Sequence, residues 1–132
     1  MSKKMLSYGI AMGKRILIVE DFVDLRKIVA ALLTRVYGYE IIEAANGREA
    51  VERAASEKPD LILMDVDLPD GSGIDAARVV KSNPNTAHIP IVAQTGWGSS
   101  HWQAAALSAG IVAFLQKPAS MELIVSTIEK FL

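Results

Sequence analysis

The chain has no cysteine, which excludes disulfides, thiolate chemistry and cysteine-ligated zinc. Two histidines, His88 and His101, are too few for a histidine-built metal site. There is no excess of either charge: 14 basic residues against 15 acidic ones leave a net charge of -1. That balance gives no general attraction to nucleic acid or to an anionic membrane. No apolar run approaches the roughly 18 residues of a membrane span. The basic start is followed by only a short, broken apolar stretch, Leu6 to Met12, which does not make a signal peptide. Linkers and low-complexity segments are also missing.

What remains is 132 residues, 51% hydrophobic and 22% charged, the mix of one soluble globular domain with the cytoplasm as its default location. Residues 1–13 are expected to be a loosely attached leader and residues 14–132 the domain.

From Lys14 onward, short apolar runs alternate with helical patterns. The runs RILIVE (15–20), EIIEA (40–44), DLILMD (60–65), IPIVAQT (89–95) and IVAFLQ (111–116) read as buried strands. The first helix follows Asp21, carries Leu25, Ile28, Val29, Leu32, Leu33 and Val36 on one stripe, and stops at Gly38. Asn46 caps the second, whose inner face is Ala50, Val51, Ala54 and Ala55. The third is GIDAARVVKS. The fourth spaces Trp102, Ala105, Ala106 and Ala109 and ends on Gly110; the fifth carries Met121, Ile124, Val125, Ile128 and Leu132.

Five such units predict an α/β fold: a doubly wound, five-stranded parallel sheet with helices on both faces, (βα)5, in the flavodoxin-like strand order 2-1-3-4-5. That order sets the first and third strands side by side, and ligands in such sheets bind at the carboxyl edge between them. Glu20 and Asp21 end the first strand and Asp65 ends the third, so three carboxylates are expected in that crevice. Three acids together repel, and a divalent cation relieves them. Magnesium fits best, because it takes oxygen ligands from one or two carboxylates and keeps waters for a phosphate to share. Thr95 ends the fourth strand and Lys117 follows the fifth. A metal, an ammonium, a hydroxyl and a carboxylate around one cleft suit phosphoryl transfer, with the carboxylate as nucleophile.

The segments ILIVED, PDLILMDVDLPDGSG, IPIVAQTGWG and AFLQKP, in this order and spacing, resemble the receiver domain of bacterial two-component response regulators over about residues 14 to 132. Both chemotaxis-type single-domain receivers and the receiver modules of hybrid kinases are similar, the latter in TGWG. The resemblance implies that Asp65 accepts a phosphoryl group from a histidine kinase or a histidine phosphotransfer protein. It implies Asp21 as a direct magnesium ligand, Glu20 acting through metal-bound water, and the backbone carbonyl of Asp67 as a ligand. Thr95 would bond the phosphoryl oxygen and Lys117 would pair with the phosphoryl group, with a cis Lys117–Pro118 bond. Phe114 stands where receivers carry a switching aromatic, and signal output is expected through a protein partner on the fourth helix, fifth strand and fifth helix. The protein would catalyse only its own phosphorylation and dephosphorylation, and so is read as a switch rather than a metabolic enzyme.

Plainer readings exist for each residue. Alone, Asp65 reads as a strand-end cap, as Asp70 does as a turn former; Lys117 reads as a surface charge and Thr95 as a β-former. The Asp67 carboxylate reads as solvated, His101 as an exposed helix residue, His88 as a loop residue before Pro90, and Phe114 equally as a core or edge aromatic. Trp97 sits at the cleft mouth, where its fluorescence is expected to report the metal. Rival functions are a constitutive interaction module that is never phosphorylated and a flavin-binding electron carrier. The acidic EDFVD turn repels a cofactor phosphate and argues against the carrier.

Overall fold

The computed structural model describes residues 13–68, 73–96 and 100–132, the side chains of 100–103 excepted. The leader before Gly13, the Asp70 turn, Trp97 and the side chains of His101 and Trp102 therefore lie outside the described residues.

Ten elements alternate strictly: β1 (Arg15–Val19), α1 (Val23–Tyr37), β2 (Glu40–Ala44), α2 (Gly47–Glu57), β3 (Leu61–Asp65), α3 (Gly73–Ser82), β4 (Ile91–Thr95), α4 (Ser100–Ser108), β5 (Ala113–Gln116) and α5 (Met121–Phe131). The strands form one parallel sheet in the order β2-β1-β3-β4-β5, as the alternation predicts. Among the described residues no helix is long and apolar enough to cross a membrane.

The helix ends follow their sequence signals. Gly38 adopts φ +76, and the Gly38 and Tyr39 N–H groups bond back to the Thr34 and Leu33 carbonyls, closing α1. Asn46 accepts from the Glu49 N–H at 2.9 Å and Ser120 from the Leu123 N–H at 3.1 Å, capping α2 and α5.

β3 is buried along its whole length because helices cover both faces of the sheet. Its Leu61 and Leu63 join Ile16, Ile18, Leu33 and Ile128 in the layer under α1 and α5. Its Ile62 and Met64 face the other way, into a layer where Ala50, Ala54, Ala77 and Ala106 let three helices lie close to the sheet.

The α1 stripe is a correction. Of its six residues only Leu33 is buried, joined by Ala30, while Leu25, Ile28, Leu32 and Val36 are exposed. Two helices share this face of the sheet, and a groove remains between them. Leu25, Ile28, Val29 and Leu32 line that groove from α1, and Met121 and Ile124 line it from α5. Ala55 on α2 and Leu132, just past the end of α5, were also expected inward and are exposed as well.

Leu33→Ala should therefore destabilise the fold by about 2–5 kcal/mol, as loss of a buried leucine does. Ile28→Ala, at a position 57% exposed, should stay within about 0.5 kcal/mol. Urea unfolding of the two variants decides which face of α1 meets the core.

Candidate functional site

Strand register builds the site. β1 pairs with β3 as far as Val19 opposite Met64, so the next residues, Glu20 and Asp65, stand side by side at the sheet edge. β4 pairs with β3 at Gln94 opposite Asp65, which sets Thr95 one step beyond. The Lys117 N–H bonds the Thr95 carbonyl at 2.8 Å, bringing the lysine to the same edge. α3 begins hard against this corner: a Cβ on Gly73 would lie 2.6 Å from the Val66 Cα and 2.8 Å from the Asp65 carbonyl oxygen. Glycine is required there by contact rather than by backbone angle.

Glu20 and Asp65 are buried, 4% and 2% exposed, while Asp21 beside them is exposed. The Lys117 ammonium donates to Glu20 Oε1 at 2.9 Å and to Asp65 Oδ2 at 2.8 Å. The remaining oxygens also have donors: the Asp67 N–H reaches Asp65 Oδ1 at 2.8 Å, and the Phe22 N–H reaches Glu20 Oε2 at 3.2 Å. Burial pushes the Glu20 carboxyl above its ordinary value, with the Asp65 charge adding to the rise and the Lys117 and Phe22 hydrogen bonds opposing it. Burial alone would lower the Lys117 ammonium. Its hydrogen bonds to Asp65 and Glu20 outweigh that and raise it.

One carboxylate oxygen each from Glu20, Asp21 and Asp65 lies within 4.8 Å of the others. With all three ionised, one ammonium leaves two negative charges uncompensated. An all-oxygen donor set with that residual charge fits a hard divalent cation, and soft ligands are absent from the cluster.

Thr95 is buried, 9% exposed, at the end of β4. Phe114 is half-buried on β5 opposite Ala93 and packs against the layer under α2, α3 and α4. Side chains two apart on a strand share a face, so Thr95 and Phe114, the latter opposite Ala93, lie on the same side of the sheet two residues apart in register. Lys117–Pro118 is cis. His88 is exposed before β4.

Two features escaped the sequence reading. The Asp67 carboxylate is not simply solvated, since its Oδ2 accepts from the Gly96 N–H at 2.9 Å and ties the β3 and β4 loops together. Arg26, one turn into α1, spans the Glu20 carbonyl at 2.8 Å and the Glu43 carboxylate at 2.9 Å. A basic residue one turn after an acidic strand end was the available signal.

Comparison with known proteins agrees with this geometry. The sequence profile described as response regulator receiver domain matches residues 16–129. The chain is 37% identical over 121 residues to the chemotaxis protein CheY of Thermotoga maritima, covering 90% of this chain and 98% of that protein. It is 35% identical over 121 residues to the polar-differentiation response regulator DivK of Brucella anthropi, covering 92% and 98%. Its structure superposes with a TM-score of 0.82 on the receiver domain of the sensor histidine kinase PA1611 from Pseudomonas aeruginosa, at 31% identity, covering 90% and 97%. That neighbour holds a magnesium ion in its active-site cleft.

The ion pairs give a pH prediction. Lys117, raised above 10.5, contributes stability that is full below that value and is lost as pH rises through its higher folded value. Glu20, raised above 4.5, binds its proton more tightly folded than unfolded, so stability falls as pH rises between those two values. Lys117→Met should lose the alkaline dependence and be destabilised at neutral pH by up to about 3 kcal/mol, since it strands buried carboxylates. Its deficit should shrink in acid, where Glu20 takes up a proton. Urea unfolding across an acid-to-alkaline series, with divalent cations chelated, checks both arms.

Proposed function

The chain belongs to the response regulator receiver domain family, and from that premise we propose that it is a phosphoaccepting switch in two-component signalling, with Asp65 as the acceptor. The observation that carries this is the placement of Asp65, buried at the end of the central strand, in contact with Lys117 and within reach of Glu20 and Asp21.

In the proposed step a carboxylate oxygen of Asp65 forms the O–P bond. The P–N bond to a donor imidazole breaks, and the imidazole keeps the electron pair and takes up a proton. The donor is a histidine kinase or a histidine phosphotransfer protein. Lys117 offsets charge on the acceptor and then on the phosphoryl oxygens, at a position it already occupies. Glu20, Asp21 and Asp65, with the Asp67 carbonyl, would hold a magnesium ion, which neutralises phosphoryl charge when bound. The exposed stripe of Leu25, Ile28 and Leu32 beside the acids gives a protein donor an apolar seat next to the acceptor.

Output follows from the shared face of Thr95 and Phe114. A phosphoryl group on Asp65 offers the Thr95 hydroxyl a charge-assisted hydrogen bond stronger than the bare carboxylate can. Thr95 moving inward leaves room beside Ala93 for Phe114 to follow. Exposed Leu107 on α4, Val112 before β5 and Leu123 on α5 supply apolar contacts for a downstream protein that reads the change. The switch is a shift in population between two packings.

Three experiments test this reading. Incubation with a small phosphodonor and Mg2+ should add one phosphoryl mass to the wild type and none to Asp65→Asn. Ile28→Lys should be labelled normally by the small donor and poorly by a phosphorylated donor protein. Unchanged labelling of Asp65→Asn removes the assignment, and a wild type that never gains the mass leaves the constitutive interaction module as the reading. For output, NMR with beryllofluoride as phosphate mimic should show shifts running from Gly96 through Phe114 into α4, and these should shrink in Thr95→Ala. Shifts confined to the acid cluster in both proteins would mean that another face signals.

A further inference from the structure

Asp21 is the exposed member of the acidic cluster, and among the described residues no hydrogen bond or ion pair holds its carboxylate. Its aim depends on the backbone that carries it. That backbone is the peptide joining Glu20 to Asp21, just beyond the last paired residue of β1. A change in the Glu20 ψ angle would move this carbonyl and Asp21 with it, carrying the Asp21 carboxylate away from Glu20 and Asp65.

The peptide is gripped from one side by Arg26. Its Nη1 donates to the Glu20 carbonyl at 2.8 Å, and its Nε donates to Glu43 Oε1 at 2.9 Å on β2. The Arg26 side chain is only 12% exposed, and the Glu43 carboxylate is also engaged by Lys27 at 3.0 Å. Burial works to raise the Glu43 carboxyl, but these two cations outweigh it and hold it below its ordinary value. The Glu20 N–H meanwhile bonds the Ala44 carbonyl at 3.0 Å. Both peptide groups flanking the Glu20 Cα are thus tied to neighbouring residues of β2, one directly and one through the guanidinium.

We infer that Arg26, anchored by Glu43, is a positioning residue of the cation site, fixing the Glu20–Asp21 peptide so that the Asp21 carboxylate faces Glu20 and Asp65. The inference rests on the reading that these carboxylates take a divalent cation. Groups that orient metal ligands without touching the metal commonly cost 10–100-fold in affinity when removed. The sign of the effect separates this role from simple electrostatics. Removing a nearby positive charge should tighten cation binding by Coulomb's law, whereas removing a positioning group should weaken it.

The test is Mg2+ titration of the full chain, followed by NMR, for wild type, Arg26→Met and Arg26→Lys. Arg26→Met keeps the aliphatic stem in the groove and drops the guanidinium; it should bind Mg2+ roughly tenfold or more weakly. Arg26→Lys keeps the charge, but one ammonium cannot reproduce the fork to Glu20 and Glu43, so it should bind with intermediate affinity. A role confined to holding α1 in place would lower the unfolding midpoint and leave Mg2+ affinity unchanged. Unchanged or tighter binding by folded Arg26→Met overturns the inference; if that variant does not fold, wild-type affinity in Arg26→Lys overturns it. Wild-type protein that binds no Mg2+ removes the functional reading and this inference with it.

Discussion

Lys117 sets one ammonium between Glu20 at 2.9 Å and Asp65 at 2.8 Å, where both carboxylates are almost wholly shielded from water. Two buried acids side by side would cost several kcal/mol without a partner, and protonation would be their way out. The ammonium makes their burial tolerable, and its own hydrogen bonds hold its proton firmly. A structural ion pair of this kind is weak evidence for stability, because apolar residues of similar volume often serve a core better. What the pair supplies is a carboxylate kept at a defined point, with positive charge already in place for a dianionic group.

The rest of the architecture serves that point. Parallel register delivers Glu20 and Asp65 together, β4 and β5 deliver Thr95 and Lys117, and Gly73 lets α3 begin within contact of the Asp65 backbone. The loop after β3 is seated in the core by Val66 and Leu68, and a hydrogen bond from the Gly96 N–H to the Asp67 carboxylate ties it to the loop after β4. A bond of that kind breaks at modest cost, so a rigid edge beneath such a tie suits the proposed role of an acceptor whose charge is passed on.

Four of the five strand positions were legible because the apolar run gives way to a residue whose polarity marks the sheet edge: Glu20, Asp65, Thr95 and Lys117 all stand where those runs predict. Gly38, Asn46 and Ser120 act at helix ends for local reasons that sequence also carries. The α1 stripe was harder to read. Periodicity says which residues share a face of a helix, but whether that face meets the core or a groove depends on how many helices cover that side of the sheet. Arg26 was hidden for a related reason: its two partners are a backbone carbonyl and a glutamate on another strand. The Asp67 carboxylate likewise pairs with a backbone N–H, a group every residue has and no sequence pattern marks.

The central claim is that Asp65, of all the acids at this edge, carries the phosphoryl group. An acyl phosphate is reduced by borohydride to the corresponding alcohol, which turns the modified aspartate into homoserine. Protein labelled by a small phosphodonor with Mg2+, reduced, digested and sequenced by tandem mass spectrometry, reports the position directly. Homoserine at position 65 and at no other acid is the predicted result. Homoserine at position 21 or 67, with Asp65 intact, would contradict the account.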